Sequence, residues 1–465
     1  MSQFAMPAES DRWATAPPSL FRFVGRRAAF LLVSLAFAGA FCWNYMEFQV
    51  VALSWFNVYY TPTPLSAWIM GFIIFLIPGL FVPTELVRPS SFAVLAQYML
   101  VLMPVCFVPM FRQEMPVEHC ILLAASFAVA ILILLGMNKA PRKVLPILRL
   151  RPEIAWPFFG GLYIALNGIV ALMGPRWRLV SFADVYDIAR PEAAAYAGSI
   201  FAYAYSNLGC AMNPFLLAYA LARRNYSLAA ISCVMEIYLY GYGGNKAMVF
   251  VPPLVIGTYF LVERFRQPAT KLIIGLVMLS VLSTAAYARN PSLLSYAVNG
   301  LLEERIIAMA GQNTAGFDYF AYNYGFTYWS HVSGVNKFVR YPFKQDLGNE
   351  VGFLEQGSIT QGNTGFLASD GLSALGLVGV TIIACVVGGY FWLVDCVASG
   401  HDSAFAVASY SGMAFVLVNV GFFTSLLSDG AFLIVVLLQF MPLIQTATAG
   451  QVPDRPERYM PSPAF

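Results

Sequence analysis

Apolar residues recur along this chain in runs of about 20, each long enough to cross a hydrocarbon layer as one helix. The runs predict helices over 27–46, 66–83, 91–111, 118–138, 154–173, 195–222, 227–242, 247–263, 271–288, 372–395, 403–422 and 427–445, about twelve in all. The run over 195–222 contains Asn213-Pro214 and reads either as one kinked helix or as two short ones. One polar stretch, 289–369, is far longer than a helix connection needs. The pattern divides the chain into a tail (1–26), a bundle of about nine helices (27–288), a large loop (289–369), a bundle of about three helices (370–445) and a second tail (446–465). This predicts an all-α polytopic membrane protein.

Composition sharpens that class. Of the 465 residues 59% are hydrophobic and 11% charged, against roughly 25% charged in soluble domains, which argues against a soluble enzyme. The net charge of +3 is small and its cations are scattered between apolar runs, so no nucleic-acid-binding stripe forms. Their placement reports orientation instead. With a cytoplasmic N-terminus, inside segments hold 17 of the 27 Lys and Arg, and outside segments hold ten, five of them in the long loop. Long loops are exempt from the charge rule, so the contrast is 17 against five, which predicts both termini in the cytoplasm and 289–369 outside. Arg26-Arg27, an apolar stretch and Ala38-Gly39-Ala40 resemble a cleavable signal, but the run continues through Trp43 and is better read as the first membrane helix. The seven cysteines form no CxxC pair and suit packing; His119, His331 and His401 lack metal-ligand spacing, so neither metal nor cofactor is expected.

Candidate chemistry concentrates outside. Within 289–369 a helix is expected around Leu301 to Ala310, followed by Phe317, Tyr319, Phe320, Tyr322, Tyr324, Phe326, Tyr328 and Trp329, eight aromatics within 13 residues. They form an aromatic belt at the membrane surface or a platform for sugar rings, whose C–H faces stack on aromatics while groups such as Asn363 bond the hydroxyls. Arg305 is a candidate diphosphate clamp, or a local partner of Glu303 or Glu304. Lys246, after Gly243-Gly244-Asn245, puts a cation beside helix N–H donors, or simply snorkels. Arg176, Arg178 and Arg190, with Asp184 and Asp187, form either a basic entrance or a self-paired loop; Arg340 is a further candidate headgroup cation. Glu236 and Asn213 lie within apolar runs, where polar groups are functional candidates by default and leave a proton-coupled transporter open. His331 has the titration range of a general base, ahead of Asp370 and Glu303; Asp370 equally suits a helix start. The small residues from Gly362 to Gly379 predict close helix packing.

Four segments in order, Asn213-Pro214, Gly244-Asn245-Lys246-Ala247, Arg305 through Tyr328-Trp329-Ser330-His331, and Gly362-Asn363-Thr364-Gly365-Phe366 through Asp370-Gly371 to Gly379, resemble the O-antigen (oligosaccharide repeat-unit) polymerase family. The likeness spans roughly 180–395; Ser369 interrupts the family's usual step from Ala to Asp-Gly, so the alignment at Asp370 is approximate. The resemblance implies a metal-independent glycosyltransferase of GT-C-like architecture in a bacterial inner membrane. It would join undecaprenyl-diphosphate-linked repeat units on the periplasmic face, alongside a flippase and a chain-length regulator. Arg305 and Lys246 would then neutralise the departing diphosphate, and His331 would activate the acceptor hydroxyl. An O-antigen ligase and a lipid-linked oligosaccharide flippase or other transporter are the rival readings.

Overall fold

A computed structural model describes residues 20–54, 57–142, 149–182, 184–357 and 362–444. The described residues are 77% helical, and no strand occurs among them. Among the described residues seven helices are long and apolar enough to cross a membrane: α1 (Val24–Ala52), α3 (Pro89–Arg112), α4 (Val117–Lys139), α5 (Pro152–Met173), α8 (Lys246–Arg264), α9 (Pro268–Arg289) and α12 (Leu367–Val397). Between and after them come α2 (Leu65–Gly79), α6 (Ile200–Asn207 continuing through Asn213–Ala222), α7 (Tyr226–Gly243), α10 (Leu293–Asn299 continuing through Met309–Tyr324), α11 (Leu347–Gln356), α13 (Ser403–Asn419), α14 (Phe422–Leu427) and α15 (Ala431–Phe440). Apolar side chains such as Ile164 and Leu172 on α5 point outward at 73% and 87% exposure, a surface suited to lipid rather than water.

Each expected run holds helix, with differences that have local causes. The 195–222 run starts helix at Ile200 and stays one helix, because a π turn over Leu208–Met212 inserts the extra residue just before Asn213-Pro214. The 403–422 run breaks after Asn419, so that α14 starts separately. The largest departure is 289–369. The helix expected around Leu301 to Ala310 is part of α10, which is far longer, is widened by a π segment over Gly300–Ala308, and has Glu303, Gln312, Asn313 and Asp318 buried. Asn299 donates to the Ser283 carbonyl of α9 at 2.9 Å, and Gly311 lies against Pro104 of α3, so α10 packs into the bundle. Past Ala310 its abundance of Gly, Asn, Gln and Thr leaves no apolar run.

The helices define two ends. At one, Asp395 accepts from the Ser90 N–H at 3.1 Å and its hydroxyl at 2.6 Å, while Asn138 bonds Ser91 and the Ala269 N–H reaches Thr84. The starts of α3 and α9 and the ends of α4 and α12 therefore share that end. The opposite end then holds Arg112, the start of α4 with His119, Lys246 at the start of α8, Arg289 and Asp370 at the start of α12.

Candidate functional site

The starting point is a break in α12. Leu375 and Gly376 leave helical geometry, Gly376 at φ +62°, a conformation glycine adopts without strain. Gly371 and Gly379 close against each other across the break, so this glycine run serves a kink as well as interhelical packing. Thr327 N–H donates to the Ser373 carbonyl at 2.8 Å and Tyr328 N–H to the Ala374 carbonyl at 3.2 Å. That docking holds Tyr328 and Trp329 at φ +50° and +59°, a strained left-handed pair that persists only when its surroundings fix it.

The same loop carries His331. Its Nε2 lies 3.3 Å from Asp370 Oδ1, and its Nδ1 lies 2.8 Å from Thr327 Oγ1. The other oxygen of Asp370 accepts from the Phe422 N–H and, at 3.4 Å, from the Phe423 N–H, so this buried carboxylate also caps α14. Two of the residues singled out for catalysis thus meet, and both ring nitrogens of His331 are engaged. Glu303, the third, faces elsewhere: it is 1% exposed, against Ser280 of α9.

The aromatic stretch divides by helical position. Phe317 and Phe320 enter the core, whereas Tyr322 and Tyr328 are 42% and 55% exposed, and Tyr319 and Trp329 are half-buried. Asn363 is exposed, and its carbonyl accepts from the Asn313 amide. Tyr322 packs edge-on against Phe326 and against His119 of α4. His119 Nε2 lies 3.0 and 2.9 Å from the two oxygens of Asp318, a second histidine–aspartate pair at this end. Burial pushes Asp318 up to about 6, and His119 pulls it back.

Lys246 and Arg305 converge as well: both act electrostatically on the Glu304 carboxylate, with Arg305 Nε 3.5 Å from it and Lys246 Nζ 5.7 Å from the Phe182 ring centroid. Asn245 caps α8 by accepting from Ala247, and the Lys246 charge sits against the helix dipole. Arg305 keeps a 45% exposed side chain. Arg178 pairs with Glu192, while Arg176 and Arg340 are exposed. The side chain of Arg190 lies outside the described residues.

Sequence reasoning missed the pairing of His119 and the buried cluster around Arg112. Arg112 binds Glu114, Glu355 at 2.6 Å and the Gln312 carbonyl at 3.3 Å. From Gln312 a buried amide chain runs through Gln49 and Asn44 to Asn299 and Thr284. The signal for it was present in part: Asn44 and Gln49 are amides in a helix whose neighbours are largely apolar. Two surface hollows, one at Phe81, Leu132 and Lys139 and one at Gly257, Phe260 and Arg264, lie towards the opposite end. No family model matches the chain, and no curated protein or solved structure matches it either.

Proposed function

We propose that this protein is a bacterial inner-membrane glycosyltransferase of about twelve crossings and GT-C-like architecture, with both termini cytoplasmic. It joins undecaprenyl-diphosphate-linked oligosaccharide repeat units on the periplasmic face. The observation that carries the reading is the pairing of histidine with aspartate, twice, beside an exposed aromatic surface at one end of the bundle. Such a pair fixes a ring tautomer and leaves the histidine ready to take a proton. Tyr319, Tyr322, Tyr328 and Trp329 offer faces for sugar rings, with Asn363 for hydroxyls.

In this reaction an acceptor hydroxyl loses its proton to a histidine while its oxygen attacks the anomeric carbon of the donor chain. The bond from that carbon to the diphosphate oxygen breaks, and the electron pair leaves on undecaprenyl diphosphate. Arg305 and Lys246 at the same end supply charge-assisted hydrogen bonds to that leaving group, so no metal is required by the chemistry. The reading taken from sequence gives that role to His331, whose Nε2 faces Asp370 and whose Nδ1 is met by the Thr327 hydroxyl.

One observation favours a second reading. Glu236 is 1% exposed on α7 beside Asn213 of α6, and a buried acid between apolar helices suits a proton-coupled transporter. Surface polysaccharide from a deletion strain, complemented with wild type or Arg305→Ala, separates the readings. A polymerase leaves single repeat units on the acceptor, and Arg305→Ala at normal abundance restores no ladder. Polymer stranded on the lipid diphosphate identifies a ligase, and absence of any periplasmic lipid-linked repeat identifies a transporter.

A further inference from the structure

His119 and His331 each face an aspartate, but their free valences differ. Thr327 occupies Nδ1 of His331 and Asp370 faces its Nε2. Asp318 takes Nε2 of His119 with both oxygens, and among the described residues no hydrogen bond reaches Nδ1. A carboxylate holding Nε2–H fixes the neutral ring as the tautomer whose Nδ1 carries the lone pair. The Asp318 side chain is 2% exposed and that of His119 18%, so the anchor is buried and the ring sits nearer the surface. Tyr322, one turn along α10 from Asp318, lies edge-on to His119 at 4.7 Å between centroids and is 42% exposed. Its hydroxyl lies beside Gly376 in the α12 break, which ties this pair to the loop bearing His331. The remaining titratable neighbours are Glu118 and Cys120 on α4 and Glu114 before it, the last already bound by Arg112.

We propose that His119 is the general base for the acceptor hydroxyl, with Asp318 as its positioning residue and Tyr322 as the ring against which the acceptor sugar lies; this rests on the polymerase reading. The hydroxyl proton passes to His119 Nδ1, the oxygen's electron pair forms the bond to the anomeric carbon, and the pair of the breaking carbon–oxygen bond leaves on the diphosphate. The imidazolium then returns its proton to water. Asp318 faces the charge that the ring acquires.

The test uses the purified full chain in phosphatidylethanolamine–phosphatidylglycerol liposomes, with lipid-linked repeat units extracted from the deletion strain as donor and acceptor. His119→Ala should lower kcat by about 10² or more with KM within about twofold, and added imidazole should restore part of the loss. His119→Gln keeps a donor towards Asp318 yet cannot take a proton, so it should be as inactive as His119→Ala at an unchanged melting temperature. Activity of His119→Gln within about threefold of wild type, or a folded His119→Ala that imidazole leaves unaltered, overturns the assignment. A wild-type protein that polymerises nothing overturns the polymerase reading itself, an outcome distinct from both.

Discussion

Asp370 faces His331 with one oxygen at 3.3 Å and holds the Phe422 N–H with the other, so one buried side chain ties together the start of α12, the start of α14 and the loop that docks on the α12 break. Removing it strands the Phe422 N–H and frees the His331 ring. Asp370→Ala is expected to cost about 1–3 kcal/mol, the usual penalty for an unsatisfied buried partner. Hydrogen exchange should accelerate together at Thr327, Tyr328 and Phe422. Faster exchange at Phe422 alone would show that the pair does not restrain the loop.

Arg112 is the second junction. Its side chain is 2% exposed, and Glu355 beside it is 12% exposed, so both charges depend on each other for solvation. Arg112→Met should destabilise the protein by about 3–5 kcal/mol, because it leaves a carboxylate buried without its cation. Adding Glu355→Gln should recover part of that loss. Unfolding by denaturant in detergent micelles measures both, and a single-variant cost below about 1 kcal/mol would refute the dependence.

The cation pair at Glu304 makes a prediction about shape as well as charge. Arg305→Ala should cost about 10²–10³ in polymerisation rate if the guanidinium meets the departing diphosphate. Arg305→Lys keeps the charge but loses the planar fork, so most of the deficit should remain. Full activity in Arg305→Lys would leave only a general electrostatic role for that position.

Asp318 gives a pH signature. Burial raises its carboxyl from the usual 3.8 to about 6, so the folded chain holds this proton more tightly than the unfolded one. Its contribution to stability is fully present below about pH 4 and is lost as pH rises through about 6. Asp318→Asn stays neutral throughout and lacks that loss. Between pH 4 and 6 the wild-type melting temperature should therefore fall relative to the variant's, and the two should run parallel above pH 7. A relative rise of the wild type over the same interval would mean that His119 outweighs burial.

How far the sequence revealed this arrangement depends on what each element displays. Apolar runs located α4 and α5 to within two residues, because lipid-facing helices advertise their length in composition alone. Of α10 only the part around Leu301 to Ala310 was legible, because much of its buried face is polar: Asn299 bonds Asn44, Gln312 bonds Gln49 and Asn313 bonds the Asn363 carbonyl, which leaves little apolar period to read. Within the candidate site, Arg305, Lys246, His331 and Asp370 were individually visible as residue types that suit the chemistry. Their partners were not, since His119–Asp318 joins positions 199 apart and a spacing of that size carries no local signal. Asp370 was read both as a candidate base and as a helix cap, and the cap it makes belongs to α14, 52 residues away, rather than to its own helix.

The α12 break depends most directly on one residue. At Gly376 the backbone sits at φ +62°, and a Cβ built there would lie 2.8 Å from the Tyr322 hydroxyl and 3.2 Å from the Phe326 ring. Gly376→Ala therefore meets both a backbone penalty, about 1–3 kcal/mol for a positive-φ extended conformation that only glycine adopts readily, and a steric one. The steric share is separable, because Tyr322→Phe removes the nearest atom while keeping the ring beside His119. The double variant should melt above Gly376→Ala by more than Tyr322→Phe alone shifts the wild type, and a double-mutant cycle gives that coupling directly. A coupling near zero would mean that the cost lies wholly in the backbone. Polymerisation rate should fall in parallel: straightening the break withdraws the Ser373 and Ala374 carbonyls from Thr327 and Tyr328, and the loop carrying His331 loses its seat.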